Sequence, residues 1–133
     1  MGIESFLVTS SVIAILAQRL VRVICNECKE EYRPDNESLK NIGMTREMVS
    51  GKKFFQGKGC PSCLNTGYSG RTGIFELMLL DDNIKNLILR TSDANAIKRK
   101  AVELGMITLS GDGAKKVMDG ITTIEEVIRV SCQ

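Results

Sequence analysis

The sequence predicts an α+β chain, a small cysteine-bearing lobe with a β-hairpin followed by a C-terminal helical lobe. Three observations carry that expectation. Two Cys-x-x-Cys pairs, Cys25/Cys28 and Cys60/Cys63, are separated by 31 residues. Around them, glycine-rich turns alternate with short β-branched and aromatic runs. From Asp81 onward, apolar residues recur at helical spacing between capping residues and glycines.

The chain has 133 residues, with 43% hydrophobic and 26% charged, a composition that argues against disorder. Its net charge of +2 does not fit a strongly basic nucleic-acid or membrane-surface protein. The apolar run "VIAILA" (Val12–Ala17) is too short to span a bilayer and is expected to be part of a buried helix. No signal peptide is visible, so the chain is expected in the cytosol, where thiols stay reduced.

That setting narrows the chemistry of the cysteines. A thioredoxin-like dithiol needs one Cys-x-x-Cys near a βαβ unit, whereas this chain has two pairs. Two knuckles allow four thiolates to converge on a tetrahedron, a soft donor set suited to zinc. Cys25, Cys28, Cys60 and Cys63 are therefore the expected ligands, and four sulfurs leave no coordination position for substrate, so the zinc would be structural. Unligated or redox-active cysteines are the competing reading. Cys132 is expected to be a spare thiol on a terminal helix.

Along the chain, residues 5–20 are expected to be helical, and "VRVIC" (Val21–Cys25) to form a short strand into the first knuckle. "RPDNESLKNIG" and "TREMVSG" are read as two short helices in the insertion between the knuckles, ending at Gly43 and Gly51. "KKFFQGKG" is a strand, expected to pair with "RTGIFELMLL" (Arg71–Leu80), and "NTGYSG" is turn chemistry. The tail is expected to hold four short helices, with Thr122 and Glu125 as a capping box. Its apolar cluster is expected from Ile84, Leu87, Ile97, Leu104, Val117, Val127 and Ile128. Lys98–Lys100 and Lys115/Lys116 read as solvated helix faces.

A phosphate-binding loop needs Gly-x4-Gly-Lys-Ser/Thr, and neither Gly51-Lys52, Gly57-Lys58 nor "SGDGAKK" completes one. The chain has no histidine, which removes a histidine base or a catalytic histidine–zinc site. No catalytic residue is assigned, and the chain is not expected to be an enzyme by itself.

"AQRLVRVICNEC", "GCPSCLNTGYSGRTGIFELM" and "MITLSGDGAKKVMDGITTIEEVIRV" together resemble the C-terminal region of the secretion-superfamily ATPases, the hexameric motors of type II secretion and type IV pilus extension. The resemblance covers nearly the whole chain in the same order. It implies that residues 1–24 are a helix and strand ending a RecA-like ATPase core, 25–80 a tetracysteine zinc-binding lobe, and 81–133 a helical lobe. It implies ATP and magnesium only in the parent protein, with neighbouring motor subunits and inner-membrane platform proteins as partners and no nucleic acid. The location it implies is cytoplasmic, at the inner membrane through those partners. Arg71 is a possible contributor to ATP turnover in the assembled ring, with a structural salt bridge as the other reading; Arg19 is a weaker candidate, expected at a helix end. The competing function is a stand-alone zinc-ribbon module that binds nucleic acid.

Overall fold

The computed structural model describes residues 5–131, and Cys132 lies outside them. The fold is α+β. In chain order come helix α1 (Ser5–Ser11), strands β1 (Ala14–Ile24) and β2 (Lys29–Tyr32), helix α2 (Asn36–Asn41), strand β3 (Phe54–Gly57), a 3-10 turn (Pro61–Cys63) and strand β4 (Tyr68–Leu79). Helices α3 (Asp82–Arg90), α4 (Ala94–Glu103), α5 (Leu109–Met118) and α6 (Ile124–Ser131) complete it. Among the described residues no helix is long and apolar enough to cross a membrane.

The strands pair as β1 with β4 and β2 with β3. The expected pairing of β3 with residues 71–80 is thus corrected. β3 instead runs antiparallel to β2, with Lys29 opposite Gly57 and Tyr32 opposite Phe54. The long β4 is taken by β1, which also corrects the expected helix over residues 5–20: helix stops at Ser11. Ala, Leu and Gln favour helix locally, but a partner strand of twelve residues outweighs that preference. Nor is the run Val12–Ala17 buried throughout, since Ile13, Ile15 and Leu16 are exposed. The second insertion helix is likewise a succession of turns over residues 46–51, in which the Met48 amide donates to the Thr45 hydroxyl.

The contacts separate two compact units, and neither is contiguous. Of the described residues, those up to 17 together with 75–108 form the first, and 18–74 together with those from 109 onward form the second. This differs from the division at residues 24 and 80, because the tail does not share one core. In the first unit Leu80, Ile84 and Ala101 are buried with Val12, Met78, Ile88, Ile97 and Met106 packed around them. Asp81 and Asp93 cap α3 and α4, accepting from the Ile84 and Asn95 amides at 3.0 Å each.

In the second unit α5 and α6 close over the cysteine lobe. Ala114, Val117, Ile124 and Val127 join Leu39, Ile42, Met44, Val49 and Phe54 in one cluster. Val21, Ile74 and Val130 form a smaller one with Leu109 against it. A side chain at Gly113 would meet the Val127 methyls at 2.6 Å, so only glycine lets α5 approach α6 this closely. The cap of α6 sits one residue later than expected. The Thr123 hydroxyl accepts the Glu126 amide at 3.3 Å, while the Thr122 hydroxyl donates to the Arg22 carbonyl at 2.7 Å.

Candidate metal centre

β1 ends at Ile24 and delivers Cys25, whose amide donates to the Gly67 carbonyl at 2.9 Å. Cys28 closes the first knuckle just before β2. Cys60 and Cys63 bracket the 3-10 turn that Pro61 opens, and Leu64 and Asn65 then reverse the chain in left-handed conformation, φ 55° and 62°. Gly57 and Gly67 lie so close that a side chain on Gly57 would overlap the Gly67 carbonyl. Gly67 itself has φ 82°, which suits glycine. This contact holds the end of β3 against the second knuckle, so the β2–β3 hairpin and both cysteine pairs are built as one piece.

The result brings all four expected ligands together. Their sulfurs lie within 4.8 Å of one another. Cys25 Sγ is 3.8 Å from Cys60 Sγ, Cys28 Sγ is 3.8 Å from Cys63 Sγ, and Cys60 and Cys63 sulfurs are 3.6 Å apart. Thiolates at about 2.3 Å from a tetrahedral metal are separated by about 3.8 Å, so the donor set fits such an ion. The four sulfurs are too far apart to be disulfide-bonded, and all four cysteines are free thiols.

Backbone amides are aimed at the sulfurs. Gly59 N–H donates to Cys28 Sγ at 3.2 Å, Cys60 N–H to Cys63 Sγ at 3.4 Å and Gly67 N–H to Cys63 Sγ at 3.2 Å. Burial acts to raise the Cys63 thiol, but the Cys60 and Gly67 amides and the neighbouring thiols outweigh it and bring it down to about 6. Burial pushes the Cys28 thiol up to about 12 against the single Gly59 amide. The amides of Cys60 and Gly67 thus favour the thiolate form at Cys63.

A buried ionic cluster in the same unit escaped the sequence reading. Glu126 on α6 is 2% exposed. Its carboxylate accepts the Arg22 amide at 2.7 Å, the Arg22 guanidinium at 3.2 Å and two nitrogens of Arg129 at 3.0 Å each. Arg22 also lies over the Tyr68 ring, 4.2 Å from its centre, and the Tyr68 hydroxyl meets Thr123 Oγ1 at 2.7 Å. Arg22 is three residues before Cys25, and Tyr68 follows Gly67. The cluster therefore locks α6 to both chain segments that carry the metal ligands. The helical spacing of Glu126 and Arg129 was a visible signal, but Arg22 is 104 residues away.

Arg71 is exposed on β4 and, among the described residues, has no carboxylate within salt-bridge distance. Arg19 is not at a helix end but within β1, where its Nη1 donates to the Gln18 carbonyl at 3.0 Å.

The α+β fold thus brings four cysteine sulfurs into one cluster that could hold a metal ion. The family described as type II/IV secretion system protein matches residues 1–129. The chain is 43% identical over 128 residues to the type IV pilus assembly ATPase PilB of Thermus thermophilus, covering 96% of this chain and 14% of that protein. It is 43% identical over 131 residues to the type II secretion system protein E of Pseudomonas aeruginosa, covering 98% of this chain and 26% of that one. It is 42% identical over 136 residues to the type II secretion system ATPase E of Vibrio cholerae, covering 98% and 25%. The chain belongs to the type II/IV secretion system protein family, and it spans between about a seventh and about a quarter of the length of these relatives.

Proposed function

We propose that this chain is the zinc-binding, non-hydrolytic C-terminal portion of a hexameric secretion or pilus-assembly ATPase. In this reading it transmits nucleotide-driven motion to neighbouring motor subunits and to an inner-membrane platform, from the cytoplasmic side. The observation that carries the reading is the four-sulfur cluster in a chain whose relatives are named as secretion and pilus ATPases. Zinc, held by Cys25, Cys28, Cys60 and Cys63, would supply a closed structural cross-link; the amides of Gly59, Cys60 and Gly67 already stabilise thiolate charge there.

Two further observations support a place within a larger motor. Phe75, Leu77 and Leu79 alternate along one face of β4 and are each 41% or more exposed. A two-stranded ribbon with such a face calls for a cover, and the remainder of the ATPase core is the cover we assign. We therefore keep residues 1–24 as the end of that core. Arg71, exposed and without a local carboxylate, is available to bridge to nucleotide phosphate or to a neighbouring subunit in the ring.

Elemental analysis and ATP turnover of the full-length protein test this reading together. About one zinc per chain is expected, with Arg71→Ala lowering turnover while zinc content stays normal. The 133-residue chain alone should not hydrolyse ATP. Iron in place of zinc, or a full-length protein without ATP turnover, would overturn it.

A further inference from the structure

Between the β2–β3 hairpin and the turns that follow α2 lies a cavity of about 400 Å3, at the lower end of the volumes that hold small ligands. Its walls include Arg33, Arg46 and Lys52 with one carboxylate, Glu31, which makes a local excess of two positive charges. Tyr32, Val49 and Phe54 give it an apolar side; Val49 and Phe54 belong to the buried core and do not move independently of it. All of these residues lie within the second unit.

Arg46 is held in place. Its Nε donates to Asn36 Oδ1 at 2.9 Å and its Nη2 to the Pro34 carbonyl at 2.7 Å, which leaves Nη1 uncommitted among the described residues. Arg33 and Lys52 have no carboxylate within salt-bridge distance among the described residues. Asp35, whose carboxyl feels the Arg46 charge, is turned instead to the Ser38 amide at 2.7 Å. Three cations thus line a cavity with one carboxylate, Glu31, and among the described residues none of the three is in a salt bridge, whereas Lys116 pairs locally with Asp112.

We propose that this cavity binds a soluble phosphomonoester with a small apolar or aromatic body. An excess of two charges matches a phosphate dianion better than a single carboxylate. The uncommitted Nη1 of the anchored Arg46 and the guanidinium of Arg33 can donate to different oxygens of a phosphoryl group. The Tyr32–Val49–Phe54 side accepts the organic part. The site is separate from the four cysteines and makes no use of ATP hydrolysis.

The test is an NMR amide-shift titration of the zinc-loaded full chain with phenyl phosphate, against inorganic phosphate and benzoate. Saturable shifts are expected at residues 31–33, 46 and 49–54, with phenyl phosphate binding at least several-fold more tightly than either control. Arg46→Lys should weaken it about tenfold. Because Arg46 also braces Pro34 and Asn36, the exposed double variant Arg33→Ser/Lys52→Ser should give the same loss with an unchanged spectrum elsewhere. No saturation by about 10 mM, equal shifts at Lys98–Lys100 and Lys115/Lys116, or benzoate binding as tightly as phenyl phosphate would overturn the proposal. So would binding seen only with phosphatidic acid vesicles, which would assign the pocket to a lipid headgroup.

Discussion

The Glu126 carboxylate accepts the Arg22 backbone amide at 2.7 Å and the same residue's guanidinium at 3.2 Å, so one side chain fixes both the path and the charge of a segment 104 residues earlier. Arg129 completes the shell from the next turn of α6, and a buried carboxylate with four such donors is satisfied rather than stranded. Burial opposes ionisation of Glu126, but the Arg129 and Arg22 hydrogen bonds outweigh it and hold the carboxyl down to about 2, against an ordinary value of 4.5.

That difference makes stability acid-dependent with a defined sign. The folded carboxyl is more acidic than the unfolded one, so its stabilisation is fully present above about pH 4.5 and is lost as pH falls toward about 2. Glu126→Gln should cost about 2 kcal/mol near neutral pH, the scale of hydrogen bonds to a charged group, moderated because both arginines are half exposed. Urea unfolding followed at pH 7 and again toward pH 3 should show the gap between variant and parent narrowing. A gap independent of pH would assign Glu126 to packing alone.

The Tyr32 hydroxyl is a buried polar atom with no hydrogen-bond partner among the described residues, and burial, with the nearby Glu125 carboxylate, raises its pKa to about 12. An unpaired buried hydroxyl costs roughly 1–3 kcal/mol. Tyr32→Phe should therefore be neutral or stabilising by about 1 kcal/mol, read as an equal or higher denaturation midpoint with an unchanged slope. A marked fall would mean that the hydroxyl is paired in solution.

Gly113 lies in "SGDGAKK", a run that fails as a phosphate loop; its glycine serves packing. Gly113→Ala would press a methyl against Val127, a β-branched side chain with little freedom to turn away. A loss of about 1–3 kcal/mol is expected. Adding Val127→Ala should recover part of it, giving a double-mutant coupling of opposite sign to the single cost. Additive losses would show that α5 and α6 simply separate.

What the sequence made legible was what short-range chemistry determines. The cysteine pairs, the carboxylates that cap α3 and α4, and the glycines closing α2 and α5 each act within a few residues. Three features were not of that kind. β1 carries helix-favouring Ala, Leu and Gln and becomes a strand only because β4 lies beside it. β2 is "KEEY", with no apolar alternation, and gains its structure from Phe54 and Phe55 opposite. The tail helices share one texture, yet α3 and α4 pack around Leu80 while α5 and α6 pack on Leu39, Ile42 and Phe54. Periodicity shows that a face is apolar, not which face it meets.

That last difference decides what metal removal should do. Metal binding supplies folding energy where no preformed site exists in the unfolded chain. With the tail as a separate lobe, Cys60→Ser would spare all four of its helices. The contacts argue otherwise. Val117, Ile124 and Val127 are buried against the insertion between the two cysteine pairs, and Ile24 N–H, one residue before the first ligand, donates to the Ile121 carbonyl at 2.9 Å. Glu126 and Thr122 tie α6 to Arg22. Releasing the knuckles should therefore loosen α5 and α6 with the cysteine lobe. Helices α3 and α4 have their own core around Ile84 and Ala101 and should keep their protection. Amide exchange on chelator-treated protein, or on Cys60→Ser, should show fast exchange across residues 25–67 and 109–131 with slow exchange retained in 84–90 and 97–103. Retained protection in α5 and α6 would restore the tail as an independent lobe. Uniform loss would make both units one cooperative structure held by the metal.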